Sequence, residues 1–407
     1  GAEDDAEVET ESNDDFDDSD KIDENIAEFA TESAVERAQD DIADIVLDEA
    51  GDLISRNELL VLTDDELLPN LDALTDLKQL SREAMPRLGS TLVRLLVPDH
   101  QNLTQALNAV RALLPDAAID FNHSYELVQA RAAEQATGAP LVAGRYQRPA
   151  LATGSAYRVG MIDSSLALQH EALRQTDIVT RNFLQAGQQN DYQHATAVAS
   201  LLVADVARMV GMLPQSSLYA AEVFYQDPRH GLIASSYSLI KALDWLAGEQ
   251  VQVINMSLTG PANQVLEKAL LHLLESKLLI VAAAGNDGPA SAPRYPAAYD
   301  RVLAVTAVDA SNRVYLRAVR GEHLDYAAPG VMLRAASATS DSSYQNVTGT
   351  SFATPLVTGL VLYYISQHDI RELDQLNALM RADTLDLGDP GPDSVYGNGL
   401  LGASLLL

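Results

Sequence analysis

Gly349-Thr350-Ser351-Phe352-Ala353-Thr354-Pro355 opens a run of mainly apolar residues that predicts a helix over 351–366. That helix is apolar nearly all round, which places it inside a core. A serine at a helix start sits beside unpaired backbone N–H groups and partial positive charge, a setting suited to holding an oxyanion. The same string also reads as an ordinary N-cap. The segment alone leaves both readings open, and its surroundings decide between them.

Outward from this point, the chain from Tyr157 onward alternates short apolar runs with helical stretches. Strands are predicted at 157–162, 218–224, 251–256, 278–284 and 301–308, with helices at 195–210, 235–247 and 263–276. Such alternation implies a parallel sheet covered on both faces. Chemistry in an open parallel sheet gathers at the carboxyl ends of the strands. Val159-Gly160-Met161-Ile162 runs into Asp163, a second strand runs into Asn255-Met256-Ser257, and a third runs into Asn286. The helix beginning near His194 follows a polar loop. With Ser351, this brings Asp, His, Asn and Ser to one edge of one sheet. A serine nucleophile needs those groups: an imidazole to take its proton, a carboxylate to fix the tautomer, and a donor for the oxyanion.

In the order Asp, His, Ser the chain resembles the subtilisin-like serine proteases, the subtilases of peptidase family S8. The matching segments are VGMIDSS around Asp163, QHATAVAS around His194, INMSLTG, VAAAGNDG around Asn286 and TGTSFATPLVTG around Ser351. Lesser matches, among them RYPAAYDRVLAVTAVD, the YAAPGV turn at 326–331 and VYGNGL, extend the resemblance over about 157–403. It implies a three-layer α/β domain with a mostly parallel sheet over 157–407. The activity implied is a serine endopeptidase that works through an acyl-enzyme.

By that resemblance Ser351 is the nucleophile, His194 the general base and then acid, Asp163 its orienting partner and Asn286 the oxyanion donor. Met256, Ser257, Leu258, Thr259 and Gly260, with Ala283, Ala284 and Gly285, would form a groove for extended polypeptide and an apolar first pocket. Strands predicted at 57–63, 91–97 and 117–125 alternate with helices predicted at 68–81 and 102–114, and this pattern over 57–128 resembles the family's small α+β, ferredoxin-like propeptide. That domain would inhibit its own chain, with residues 117–128 lying in the groove and self-cleavage falling between about 127 and 144. A zymogen of a secreted or periplasmic enzyme is the expectation. No cofactor is expected; calcium is known in the family, but no loop here is specific enough to assign a site.

Two departures stand out. Ser164-Ser165 occupies a turn where the family carries glycine, and Ala195-Thr196-Ala197 follows His194 where Gly-Thr-His is usual. The alternative to an active protease is a catalytically silent subtilase-fold binding module. Asp287 is a candidate for biasing the first pocket toward basic side chains, its bland counterpart being a solvated loop carboxylate. The histidines His100, His123, His170, His230, His272, His323 and His368 show no metal-ligand spacing.

Composition bounds the rest. Of the formal charge of −31, the first 50 residues contribute −19, with 21 acidic and 2 basic side chains, so the acidity belongs mostly to one end. Residues 1–20 read as a disordered acidic tail, 21–56 as an acidic amphipathic helix, and 129–156 as a connector. A pI near 4.4 argues against nucleic acid as partner. The absence of cysteine excludes disulfides and thiolate metal sites. No apolar run reaches the length of a membrane span, and with neither a first Met nor a signal peptide a processed form is expected.

Overall fold

In strand β2 (Leu53–Thr63) every residue from Leu59 to Leu62 is apolar, and the alternation that normally marks a half-exposed strand is missing. The computed structural model, which describes residues 44–127, 146–147, 149–153 and 156–407, gives the reason. Leu59 and Val61 face one apolar layer and Leu60 and Leu62 face another. A strand buried on both sides loses its period-2 signature.

β2 follows a short strand, β1 (Ile45–Leu47), and precedes a one-turn helix, α1 (Leu68–Leu71). Then come β3 (Lys78–Met85), β4 (Ser90–Leu96), helix α2 (Leu103–Leu113) and β5 (Ala118–Leu127). The antiparallel order β5-β2-β4-β3 is that of a ferredoxin-like sheet, with its first crossover reduced to a turn. One face packs against α2. Asn102 caps that helix by accepting Gln105 N–H.

Two expectations are corrected in this region. Residues 44–56 are not helical: β1 and β2 form a hairpin whose turn holds Gly51 at φ +89° and lets Asp48 Oδ1 accept the N–H groups of Ala50 and Asp52. That local turn chemistry outweighs the apolar spacing. The rest of the helix reading, at 21–43, lies outside the described residues, as do the tail at 1–20 and most of the connector. The helix expected at 68–81 stops at Leu71, and from Lys78 the chain becomes β3. This strand has only β4 for a neighbour and carries Lys78, Arg82 and Glu83, as edge strands do.

The second sheet has nine strands. Its members in chain order are β6 (Arg158–Asp163), β7 (Ile178–Asn182), β8 (Ser217–Glu222), β10 (Val253–Met256), β12 (Leu279–Ala283), β13 (Leu303–Val308), β14 (Tyr326–Pro329) and β15 (Leu400–Leu401). A short antiparallel edge at Thr384–Leu385 completes it. Between them lie helix α3 (Gln193–Val203), strand β9 (Gly231–Ser235), helix α4 (Ser236–Gly248), the two-residue strand β11 (Leu258–Thr259) and helix α5 (Gln264–Glu275). Helix α6 (Thr350–His368) is buried over most of its length, as its all-round apolar sequence requires.

α3 and α6 cover one face of this sheet. α4 and α5 cover the other and continue into the same apolar cluster as Leu60, Leu62 and Leu92 of the first sheet. Two further expectations change here. Helix α3 ends at Val203 rather than 210, because the chain turns back through a hairpin of Asp205–Val206 with Met209–Val210. At Gly211 a Cβ would stand 2.6 Å from the Leu202 backbone, so only glycine permits the return. The segment read as the YAAPGV turn is instead the interior strand β14, with Pro329 at its last position.

Candidate active site

Three carboxyl-end positions of the sheet and two helix starts converge. Asp163, the last residue of β6, is fully buried, and its carboxylate meets His194 Nδ1 at 2.8 Å from Oδ1 and 3.0 Å from Oδ2. Oδ1 also accepts Ser164 N–H at 2.7 Å. A carboxylate can only accept, so Nδ1 carries a proton and Nε2 of the neutral ring presents a lone pair. Nε2 is buried and has no hydrogen-bond partner among the described residues. The ring packs 5.3 Å from that of Phe352, the residue after Ser351. This is an imidazole in the tautomer of a general base, beside the start of α6.

Ser351 itself lies in the first turn of α6 and is buried. Pro355, four residues on, lacks the N–H that would bond to the Ser351 carbonyl. Ser257 replaces it, donating its Oγ–H to Ser351 O at 2.8 Å, while Ser351 Oγ stands 3.4 Å from Ser257 O. Asn286, just beyond β12, accepts from Thr350 N at 3.1 Å and from Thr350 Oγ1 at 3.2 Å through Oδ1. With the oxygen tied to the turn before Ser351, the direction of the amide NH₂ is set. Gly285, at φ +112°, donates its N–H to Thr350 Oγ1.

The departures from the usual family sequence are absorbed in hydrogen bonds. Ser164 Oγ accepts Ala195 N–H, and Thr196 Oγ1 accepts Ala167 N–H, so the loop after Asp163 is tied to the helix that carries His194. Ser165 donates to Glu222 Oε2, and burial pushes the Glu222 carboxyl upward against that bond. Neither serine has a positive φ, so the turn does not need glycine's freedom.

The groove segments are also brought together. β5 lies between β11 and β9, pairing Leu127 with Leu258 and Glu126 with Thr259 on one side, and Tyr125 with Ala234 on the other. Tyr125 is fully buried and donates its hydroxyl to Pro261 O. Met256, Leu258 and Ala284 share an apolar cluster with Tyr125 and Leu127, and Ala283 is buried as well. Gly260 exchanges backbone hydrogen bonds with Tyr295, and its missing side chain makes room for the Tyr125 ring, since a Cβ would fall 2.3 Å from Cδ1. Sequence reasoning missed β9 as the second wall. The Gln226-Asp227-Pro228-Arg229-His230-Gly231 turn before a short apolar run was the available hairpin signal.

β5 also meets two helix N-termini, whose first N–H groups lack partners inside the helix. Asn122 Oδ1 accepts Tyr237 N–H at the start of α4, and Asp120 Oδ2 accepts Gln264 N–H at the start of α5. The loop after β3 adds a contact of another kind, Arg87 and Leu88 donating their N–H groups to the Asp244 carboxylate well inside α4.

By position, Asp48, Asp52 and His123 could hold a cation, their ligand atoms lying within 4.8 Å of one another. Proton placement argues against it. Asn263 Oδ1 accepts from Val265 and Leu266, so its NH₂ faces Phe121 O and His123 Nδ1. Nδ1 is therefore an acceptor, and Nε2 carries the proton and points at Asp48 Oδ2, 3.8 Å away. Burial lowers the pKa of this histidine against the pull of Asp120, Asp48 and Asp52. His170, also buried, meets Ser343 O through Nε2 and accepts Ala172 N–H through Nδ1.

Comparison with known proteins points to one family. Residues 154–399 match the model of the subtilase family, Peptidase_S8. Subtilisin DY of Bacillus licheniformis is 31% identical over 256 residues, covering 61% of this chain and 89% of its own length. Subtilisin E of Bacillus subtilis is 30% identical over 315 residues, covering 72% of this chain and 79% of its own. The chain spans 38% of the minor extracellular protease Epr of Bacillus subtilis, with 30% identity. Among solved structures, fervidolysin from Fervidobacterium pennivorans shares the fold at TM-score 0.71 and 19% identity, over 89% of this chain and 63% of its own.

Proposed function

The chain belongs to the subtilase family, and on that premise we propose that it is a serine endopeptidase whose Ser351, His194 and Asp163 cleave peptide bonds through an acyl-enzyme. The observation that carries this reading is the buried Asp163–His194 pair, whose Nε2 has no hydrogen-bond partner among the described residues and lies beside the turn that holds Ser351. His194 Nε2 takes the Ser351 proton as Oγ attacks the carbonyl carbon, and Asp163 stabilises the imidazolium that forms. The Asn286 amide and the Ser351 N–H stabilise the oxyanion. His194 then returns the proton to the leaving amine, and water repeats the sequence on the ester. Asn286→Leu keeps the volume and removes the donor; kcat is expected to fall by about 10²–10³, the range established for the oxyanion amide of subtilisin itself, with KM little changed in steady-state peptide hydrolysis.

We assign the domain of β1–β5 as a propeptide that inhibits its own chain. The pairing of β5 with both β9 and β11 supports this, because it occupies the place an extended substrate would take. Self-cleavage would fall after Leu127, within 127–144. Intact-mass measurement tests both parts: wild type should lose its N-terminal portion, whereas Ser351→Ala should stay at 43.8 kDa. A Ser351→Ala chain that cleaves itself would refute the assignment. No helix among the described residues is long and apolar enough to cross a membrane, and we propose an extracellular site of action by likeness to the subtilisins.

Two smaller effects follow. Asp244→Ala removes the charged acceptor of the exposed Arg87 N–H and the part-buried Leu88 N–H, at about 1.5 kcal/mol. The nicked propeptide should then dissociate roughly tenfold faster, read as the lag before full activity; an unchanged lag would count against the interface. Gly260→Ala places a methyl group on the Tyr125 ring. Peptides with Tyr at that position should lose about tenfold in kcat/KM, while those with Ala there should not.

A further inference from the structure

The groove that packs Leu127 in an apolar cluster also carries guanidinium groups, and one of them faces the neighbouring Glu126. Arg294 Nη2 lies 4.0 Å from Glu126 Oε2 on β5, and its Nε lies 3.3 Å from Asp287 Oδ2. The stem passes close to Gly285, where a Cβ would stand 3.4 Å from Arg294 Cγ and 3.6 Å from Thr259 Cγ2. Arg294 and Thr259 thus both border the space beside Gly285. Arg317 donates Nε to the Asn286 carbonyl at 3.3 Å, bringing a second cation to the same rim. The carboxylate expected to attract basic side chains, Asp287, is already engaged by Arg294.

We infer that this groove selects polypeptides with an acidic side chain at the residue paired with Thr259, and that Arg294 is the group that determines this specificity. The inference rests on the protease reading above and adds the substrate class. A purely structural ion pair with Asp287 would explain one contact of Arg294 but not the placement of Glu126. The Asp287 ion pair also leaves hydrogen-bonding capacity over: among the described residues, buried Arg294 Nε has no aligned acceptor. Glu126 sits where β5 pairs with Thr259, so the chain's own inhibitory strand shows what that subsite accepts. On a chain of net charge −31, two arginines at one groove rim run against the general acidity and mark a local preference. The side chains of Arg294 and Glu126 are 26% and 49% exposed, so salt screens the pair and the expected selectivity is modest.

The test uses internally quenched peptides copying residues 122–131, with Glu, Gln or Lys at the position of Glu126, and the self-processed protein. At low salt, kcat/KM should fall about fivefold from Glu to Gln and further to Lys, and the spread should shrink as salt is added. Arg294→Gln should flatten the series, and Arg294→Glu should invert it. Equal rates across the three peptides in wild type, or an unchanged order in Arg294→Glu, would overturn the inference. Cleavage of none of them would sink the protease reading instead. The contact is then still decided without turnover: in the full Ser351→Ala chain Glu126→Lys should lower the thermal midpoint and adding Arg294→Glu should restore part of the loss, whereas additive losses would overturn it.

Discussion

Ser351→Ala is expected to lower kcat for peptide hydrolysis by about 10⁶, the size of loss established for removing the nucleophile of subtilisin, a relative of this chain. The substitution leaves the surroundings of the hydroxyl intact. Ser257 holds the Ser351 carbonyl, which alanine keeps, and Thr350 holds Asn286 through its own N–H and hydroxyl. The helix start and the proposed oxyanion donor should therefore keep their places, and the variant should bind peptide as wild type does. What disappears is the only atom able to form the ester. A residue of about 10³–10⁴ over the uncatalysed rate should remain from binding and the oxyanion donors. His194→Ala should cost about as much, and the double variant little more, because the two act as one unit. Steady-state and single-turnover kinetics on self-released enzyme, with the alanine variants freed of their propeptide by added protease, would check this. Additive losses would contradict it.

The second large effect is Asp163→Asn, expected to lower kcat by about 10⁴. The site is fully buried, so no water can take the place of the lost charge. The amide fits the same space, and its oxygen can keep the Ser164 N–H bond. An NH₂ group then stands where Oδ2 lay 3.0 Å from His194 Nδ1. A donor facing Nδ1 favours the tautomer with its proton on Nε2, and that nitrogen can no longer accept the serine proton. The imidazolium formed during attack also loses its counter-charge. A loss smaller than tenfold in kcat would mean that Asp163 does not orient the base.

Much of this was legible in the sequence because the relevant signals are local. VGMID, QHATAVAS and GTSFATP each place one polar side chain at the end of a strand or the start of a helix, and an apolar helix such as α6 has nowhere to go but the core. Asn102 and Asn263 likewise announce α2 and α5 as caps. What failed was decided by tertiary context. Leucines at helical spacing over 67–77 satisfy a turn that packs against the same apolar layer as α2, and β3 takes over from Lys78. The acidic stretch before Arg56 mimicked a helix until the Gly51 turn folded it into a hairpin. The second wall of the groove, β9, is five residues long and becomes meaningful only when β5 pairs with it. Arg294 carries no motif at all; its role depends on where the chain beyond β12 returns to Gly285.

Covalent labelling decides whether Ser351 is an activated nucleophile. Wild-type protein freed of its N-terminal domain should react with a fluorophosphonate once per chain, with the adduct mapped by mass spectrometry to Ser351, while His194→Ala and Ser351→Ala, freed in the same way, stay unlabelled. A freed wild-type chain that takes up no label, or one labelled at another residue, would contradict the claim that these side chains form a working triad.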